Sequence, residues 1–170
     1  MSYIYLITGG ERSGKSAHAE RLALGLCSRP VYLATARIWD EEFRERVCRH
    51  QSLRSSCWDN IEEEKYLSLH PLAGRTVLVD CVTLWATNFF FDLDNDVDAA
   101  LEAMKSELAK MLELPSVHWI FVTNEIGLGG VSVDPIQRKF TSLQGWINQH
   151  IAALADEVTL MVSGIPVKIK

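Results

Sequence analysis

Cations are in short supply in this chain: 17 Lys and Arg against 22 Asp and Glu leave its 170 residues with a net charge of −5. A duplex nucleic-acid binder needs an excess of cations for phosphate contacts, so the balance argues against that class. Cysteine is limited to Cys27, Cys48, Cys57 and Cys81, with no Cys-x-x-Cys pair. The start, Met1-Ser2-Tyr3, has no basic lead-in, and its apolar stretch soon meets Gly9-Gly10-Glu11-Arg12, which is unlike a secretory leader. No apolar run approaches the roughly 20 residues that cross a bilayer. A cytoplasmic protein with reduced thiols is expected. No Pro/Gly/Ser linker, internal repeat or low-complexity segment divides the chain, so one domain is expected over residues 1–170. What it does have is 48% hydrophobic residues, enough for a sizeable core and too many for a disordered tail.

Short apolar runs at Tyr3–Thr8, Val31–Thr35, Thr76–Cys81, His118–Thr123 and Val158–Ser163 are rich in β-branched and aromatic residues. They read as strands buried on both faces. Between them lie helical patterns. Ala19, Leu22, Ala23 and Leu26 share one face; Leu101, Met104, Leu108, Met111 and Leu112 share another, ended by Pro115. Phe140, Leu143, Ile147, Ile151 and Leu154 make a third. Such alternation implies right-handed crossovers and an α/β fold with a mostly parallel sheet and helices on both faces. Residues 53–75 carry the least periodicity and read as a functional loop or lid. The acidic run Asp92–Asp98 superficially matches a calcium loop, but Val97 and Ala103 stand where a turn glycine and a bidentate glutamate are needed. Its carboxylates are expected to cap the following helix.

The sharpest signal is Gly9-Gly10-Glu11-Arg12-Ser13-Gly14-Lys15-Ser16, between an apolar strand and a helix. It satisfies Gly-x-x-x-x-Gly-Lys-Ser in the context that motif requires, so the expected fold is of the P-loop NTPase (RecA-like) type. Glycines let successive backbone N–H groups converge on phosphate oxygens, and the helix start adds its positive dipole end. Lys15 is expected to reach the β- and γ-phosphates, and Ser16 to ligate Mg²⁺. These features predict a nucleoside triphosphate ligand. Asp80 ends the run Thr76-Val77-Leu78-Val79, at the strand end where α/β proteins bind ligands. It reads either as a helix cap or, beside the phosphate loop, as a carboxylate on the metal side.

A regulatory GTPase would read guanine with Asn-Lys-x-Asp, whereas the comparable strand end here gives Asn124-Glu125-Ile126-Gly127. A motor or AAA-type ATPase needs more chain. A small-molecule kinase fits the size but leaves Arg46, His50 and Arg54 unexplained, which on a helix would share one face. Cations there would attract a triphosphate and favour the neutral, nucleophilic imidazole of His50. Spacing alone favours the plainer alternative, a solvated basic face with an incidental histidine.

The whole chain resembles the bifunctional adenosylcobinamide kinase/adenosylcobinamide-phosphate guanylyltransferase family of cobalamin biosynthesis. Four segments carry the likeness: Thr8–Ser16; Arg46-x-x-x-His50-x-x-x-Arg54-x-x-x-Trp58-x-x-x-Glu62; Asp80–Asn88; and Val122–Gly129. The closing Ser163-Gly164-Ile165-Pro166-Val167-Lys168-Ile169-Lys170 extends it. The resemblance implies that His50 takes up GMP from GTP as a covalent phosphoramidate. It implies that Gly9, Gly10, Glu11, Arg12, Ser13, Gly14, Lys15 and Ser16 hold nucleotide phosphates, and that Ala34, Thr35 and Ala36 line the nucleotide site. Gln51, Ser52, Leu53, Arg54, Glu62 and Asp80 match positions around bound nucleotide or metal. It further implies phosphorylation of adenosylcobinamide by ATP or GTP, GMP transfer onto that phosphate with loss of pyrophosphate, and a homotrimer. Ser142 and Trp146 stand where the family usually has aspartate and a basic residue. Two other readings stay open: a kinase without the nucleotidyl step, and a nucleotide-binding regulatory module without turnover.

Overall fold

A computed structural model describes residues 2–38, 41 and 57–170. Among these residues the apolar runs become strands of one sheet: β1 (Tyr3–Gly9), β2 (Val31–Ala34), β3 (Asp59–Glu62), β4 (Thr76–Asp80), β5 (His118–Val122), β6 (Glu157–Val162) and β7 (Ile165–Lys168). Their order across the sheet is β3-β2-β4-β5-β1-β6-β7. Every pairing is parallel except that of β6 with β7. Parallel neighbours need crossovers, and these are supplied by α1 (Lys15–Leu26), α2 (Val82–Asp92), α3 (Val97–Glu113) and α4 (Pro135–Leu154).

The helices cover both faces. On one, α1 sets Ala19 and Ala23 against Ile7, Tyr32, Leu78, Ile120 and Met161. Small residues on α1 let the helix lie close to the strands. On the other face α2, α3 and α4 bury Trp85, Phe90, Met104, Leu108, Leu143 and Ile147 against Leu6, Val79, Trp119 and Phe121. Burying side chains of this size stabilises each by about 1.5–3 kcal/mol, which is why strand and helix faces are so uniformly apolar.

Helix ends follow local chemistry. Asp96 caps α3 by accepting from the Ala99 N–H at 3.0 Å, so the acidic run does cap a helix as expected. Asp134 caps α4 by accepting from Ile136 and Gln137, and Pro135 fills the first turn. Three features differ from the sequence reading. Residues 59–62 form a strand inside the stretch read as a loop, β7 continues the sheet past the last run, and α2 follows β4 directly.

The register fixes where the site must be. Ala34 pairs with Glu62 and Asp80, Asp80 with Val122, and Gly9 with Met161. The carboxyl ends of β1 to β5 therefore reach the same edge, from which the phosphate loop springs. This is the edge where ligands of open α/β sheets bind.

Candidate nucleotide site

Gly9–Ser16 leaves the end of β1 and turns into α1 as the sequence predicts. At Gly9, φ is +151°, and a Cβ would stand 2.6 Å from the Met161 carbonyl oxygen and 2.8 Å from Ser13 Oγ. Gly14, the N-cap of α1, has φ +92°. A side chain is excluded at the first by contact and disfavoured at the second by backbone conformation. Gly9 and Gly14 thus let the loop pack closely against β6 and the turn that follows it.

Lys15 is 7% exposed, and its amine donates to the Gly10 carbonyl oxygen and to Ser13 Oγ at 3.4 Å. Burial lowers its pKa, opposed by the fields of Cys81, Asp80 and Glu11. An ammonium held within the loop by a carbonyl and a hydroxyl oxygen, both able to release it to a phosphate, suits a polyanion. Asp80 lies two strands away and accepts a hydrogen bond from the Tyr32 hydroxyl. Trp58 packs edge-on against the Tyr32 ring at 5.5 Å, so an aromatic pair backs the carboxylate. Asp80 is not the cap of α2: Cys81 holds that position, and its side chain makes no capping bond. Burial pushes the Cys81 thiol up to about 12, so it is no nucleophile.

Thr35 is fully buried, with its hydroxyl donating to the Cys81 carbonyl at 2.8 Å and accepting from the Cys81 N–H at 3.0 Å. It locks β2 to β4 just beyond Ala34, with Ala36 following. Glu62 ends β3 on the same edge. Glu11 and Arg12 project outward from the loop, with side chains 75% and 92% exposed. The structure therefore brings Gly9–Ser16, Ala34–Ala36, Glu62 and Asp80 to one edge. Arg46, His50, Gln51, Ser52, Leu53 and Arg54 lie outside the described residues. Among the described residues no three His, Cys, Asp or Glu side chains gather as a metal cage. Ser16 and Asp80 are hard oxygen donors, a set suited to Mg²⁺, which keeps several waters and binds through one or two protein oxygens plus phosphates.

Sequence reasoning missed a second layer of polar groups beneath the loop. The Glu125 N–H donates to the Gly9 carbonyl at 3.0 Å, and the Thr8 hydroxyl donates to Glu125 Oε1 at 2.6 Å. Asn148, on α4, donates to the Asn124 carbonyl and to Glu125 Oε1, and accepts from the Thr123 hydroxyl at 2.7 Å. Gln144 donates to both Thr123 and Asn148. Thr83 Oγ1 accepts from both nitrogens of Asn124. The available signal was Gln144 and Asn148, two amides one helical turn apart within the apolar face of α4. A further cluster at the rim joins Arg37 to Glu64 and Asp92, and Lys65 to Asp92.

The described cysteines, Cys27, Cys57 and Cys81, are free thiols, and no described helix is long and apolar enough to cross a membrane. Comparison with known proteins supplies the context. The model of the family described as cobinamide kinase / cobinamide phosphate guanyltransferase matches residues 5–169. The bifunctional adenosylcobalamin biosynthesis protein CobU of Escherichia coli (strain K12) is 38% identical, covering 97% of this chain and 98% of its own length. The bifunctional adenosylcobalamin biosynthesis protein CobP of Pseudomonas aeruginosa is 38% identical, covering 97% and 96%. Among solved structures, the flagellar accessory protein FlaH from Methanocaldococcus jannaschii aligns over 99% of this chain and 78% of its own at 15% identity. Its TM-score of 0.47 is too low to inform the site. The phosphate loop, the strand edge around it and a family match from Tyr5 to Ile169 converge: the chain belongs to the cobinamide kinase / cobinamide phosphate guanyltransferase family.

Proposed function

We propose that this chain phosphorylates the hydroxyl of adenosylcobinamide with ATP or GTP and then transfers GMP from GTP onto the new phosphate. The observation that carries the reading is Lys15, buried in the Gly9–Ser16 loop, with Asp80 at the same carboxyl edge of the sheet. In the first step the acceptor oxygen attacks the γ-phosphorus, the bond to the β-phosphate oxygen breaks, and the nucleoside diphosphate leaves. Such transfer needs chiefly positioning and neutralised charge, which the backbone N–H groups and Lys15 provide. Mg²⁺, held by Ser16, Asp80 and the phosphates, would supply further neutralisation of the triphosphate.

In the second step an imidazole nitrogen of His50 attacks the α-phosphorus of GTP, and pyrophosphate leaves into the same cradle. A phosphate oxygen of adenosylcobinamide phosphate then displaces histidine from the phosphoramidate. A covalent intermediate divides a difficult displacement between two anions into two easier ones. Gln51, Ser52, Leu53, Arg54 and Glu62 would surround the nucleotide, with Ala34, Thr35 and Ala36 lining it. A homotrimer, by resemblance, and a cytoplasmic setting, from the pattern of cysteines, complete the reading.

Incubation with GTP labelled at its α-phosphate tests the histidine assignment. An acid-labile protein adduct is expected, absent in His50→Ala; label persisting in that variant overturns it. Lys15→Ala is expected to abolish phosphorylation of adenosylcobinamide, and unchanged turnover would mean the cradle is misassigned.

A further inference from the structure

One stripe of α2 reaches the chain where it leaves both β2 and β3, and nothing in the proposed chemistry uses it. Trp85, Asn88 and Asp92 are spaced i, i+3 and i+7, so they share a face of that helix. Asn88 is 1% exposed, and its amide nitrogen donates to the Thr35 carbonyl at 2.8 Å and to the Glu64 carbonyl at 2.9 Å. Trp85 Nε1 donates to the Lys65 carbonyl at 2.9 Å. Asp92 accepts from Arg37 at 2.7 and 2.9 Å and from Lys65 at 2.5 Å, and Arg37 also donates to Glu64 at 2.6 Å. Residues 35–37 follow β2 and residues 64–65 follow β3, so one helix face grips two neighbouring strand exits.

The centre of this grip is Asn88. A carboxamide that faces two carbonyl oxygens can present only its nitrogen, which carries two donors. Its Oδ1 is correspondingly buried with no hydrogen-bond partner among the described residues. An unpaired buried oxygen is a cost that an apolar side chain would avoid, so what asparagine contributes here is the pair of donors.

Strand order says which part of a nucleotide these exits would meet. β2 and β3 lie three and four strand spacings from β1, roughly 14 and 19 Å across the sheet. With the phosphates seated in Gly9–Ser16 at the end of β1, Ala36 and the exposed Glu62 face the nucleoside end. We infer that Asn88 is a positioning residue for that end: its carboxamide bridges the Thr35 and Glu64 carbonyls and so fixes the spacing of Ala36 and Glu62. The inference rests on the reading above in which Ala34–Ala36 and Glu62 line the nucleotide.

Titrations of GTP and of inorganic tripolyphosphate, which has no nucleoside, into the unaltered protein and Asn88→Leu test it. The Kd for GTP is expected to rise at least five-fold in the variant, with that for tripolyphosphate unchanged within two-fold. A parallel rise for both ligands would make Asn88 a general brace of the fold and overturn the proposal. Unchanged binding of both overturns it as well. Asn88→Ala removes the same two donors without adding bulk, and the same selective loss is expected of it should the leucine variant fail to fold. On the unaltered protein GTP and tripolyphosphate are expected to compete; absence of competition removes the nucleotide-site reading itself, whatever the variants do.

Discussion

The Tyr32 hydroxyl donates to the Asp80 carboxylate from the adjacent strand. Because β2 and β4 are in register, Tyr32 sits opposite Leu78, two residue pairs below the Ala34–Asp80 level and so on the same face of the sheet. The phenol reaches up to the strand end and fixes one carboxylate oxygen. Partners that orient a metal-binding carboxylate typically matter by about 10- to 100-fold in metal affinity or activity. Tyr32→Phe is therefore expected to raise the Mg²⁺ concentration for half-maximal phosphorylation about ten-fold. A titration of activity against Mg²⁺ measures this directly, and an unchanged midpoint would sever Tyr32 from the site.

Lys15 gives a pH signature. Burial lowers its pKa below the ordinary 10.5, so the charged amine is less stable in the folded chain than in the unfolded one. The cost is fully present below the folded pKa and disappears as pH rises through it towards 10.5. From neutral pH upward the melting temperature of the unliganded protein minus that of Lys15→Met should shift in favour of the unaltered chain, as the cost of its buried charge is relieved. A difference that stays constant with pH counts against a strained lysine.

Asn148 ties α4 to the strand edge. Replacing it with leucine strands the Thr123 hydroxyl and a Gln144 amide hydrogen in a buried setting. Each unpaired group costs about 1–3 kcal/mol. Asn148→Leu is expected to lower the melting temperature by roughly 5 °C or more, since a protein of this size loses about 2–4 °C per kcal/mol. Because Glu125 loses a donor and holds Gly9, nucleotide affinity should fall in the same variant, as read by titration.

At the rim, hydrogen bonds from Arg37 first and Lys65 second hold the Asp92 carboxyl well below the usual carboxylate range. A depressed acid contributes stability above its unfolded value of 3.8 and loses it as pH falls further. Asp92→Asn should melt lower than the unaltered protein at pH 7, and the gap should close below about pH 4. Partial exposure and salt screening keep the gap small. A gap that persists in acid would show that the side chain acts by shape rather than charge.

What could be read from the sequence follows from how each element is stabilised. The strands β1, β4 and β5 are buried on both faces, so they stand out as continuous apolar runs, and the phosphate loop is contiguous in sequence. By contrast β3 is Asp59-Asn60-Ile61-Glu62, an outer strand held by pairing with β2 rather than by its own apolar surface. The hairpin strand β7 is exposed throughout and contains Pro166, tolerable only at an edge. Six of the eleven residues of α2 are buried, Trp85, Phe89 and Phe90 among them, so its apolar residues are too dense to show a helical stripe. The polar layer under the loop joins Thr123 to Gln144 and Asn148 across 21 and 25 positions, a meeting that only the fold reveals.

The layer formed by Thr123, Gln144 and Asn148 consists of hydroxyls and carboxamides alone. None of these groups ionises in the range where an imidazole changes charge, and mobile ions do not screen such bonds as they screen the Arg37–Asp92 pair. These amide and hydroxyl bonds between α4 and the strand end are thus indifferent to acidity and ionic strength, while the charged rim and the ligands are not. A sensitivity of turnover to buffer composition then reports on charged groups, and not on these bonds giving way.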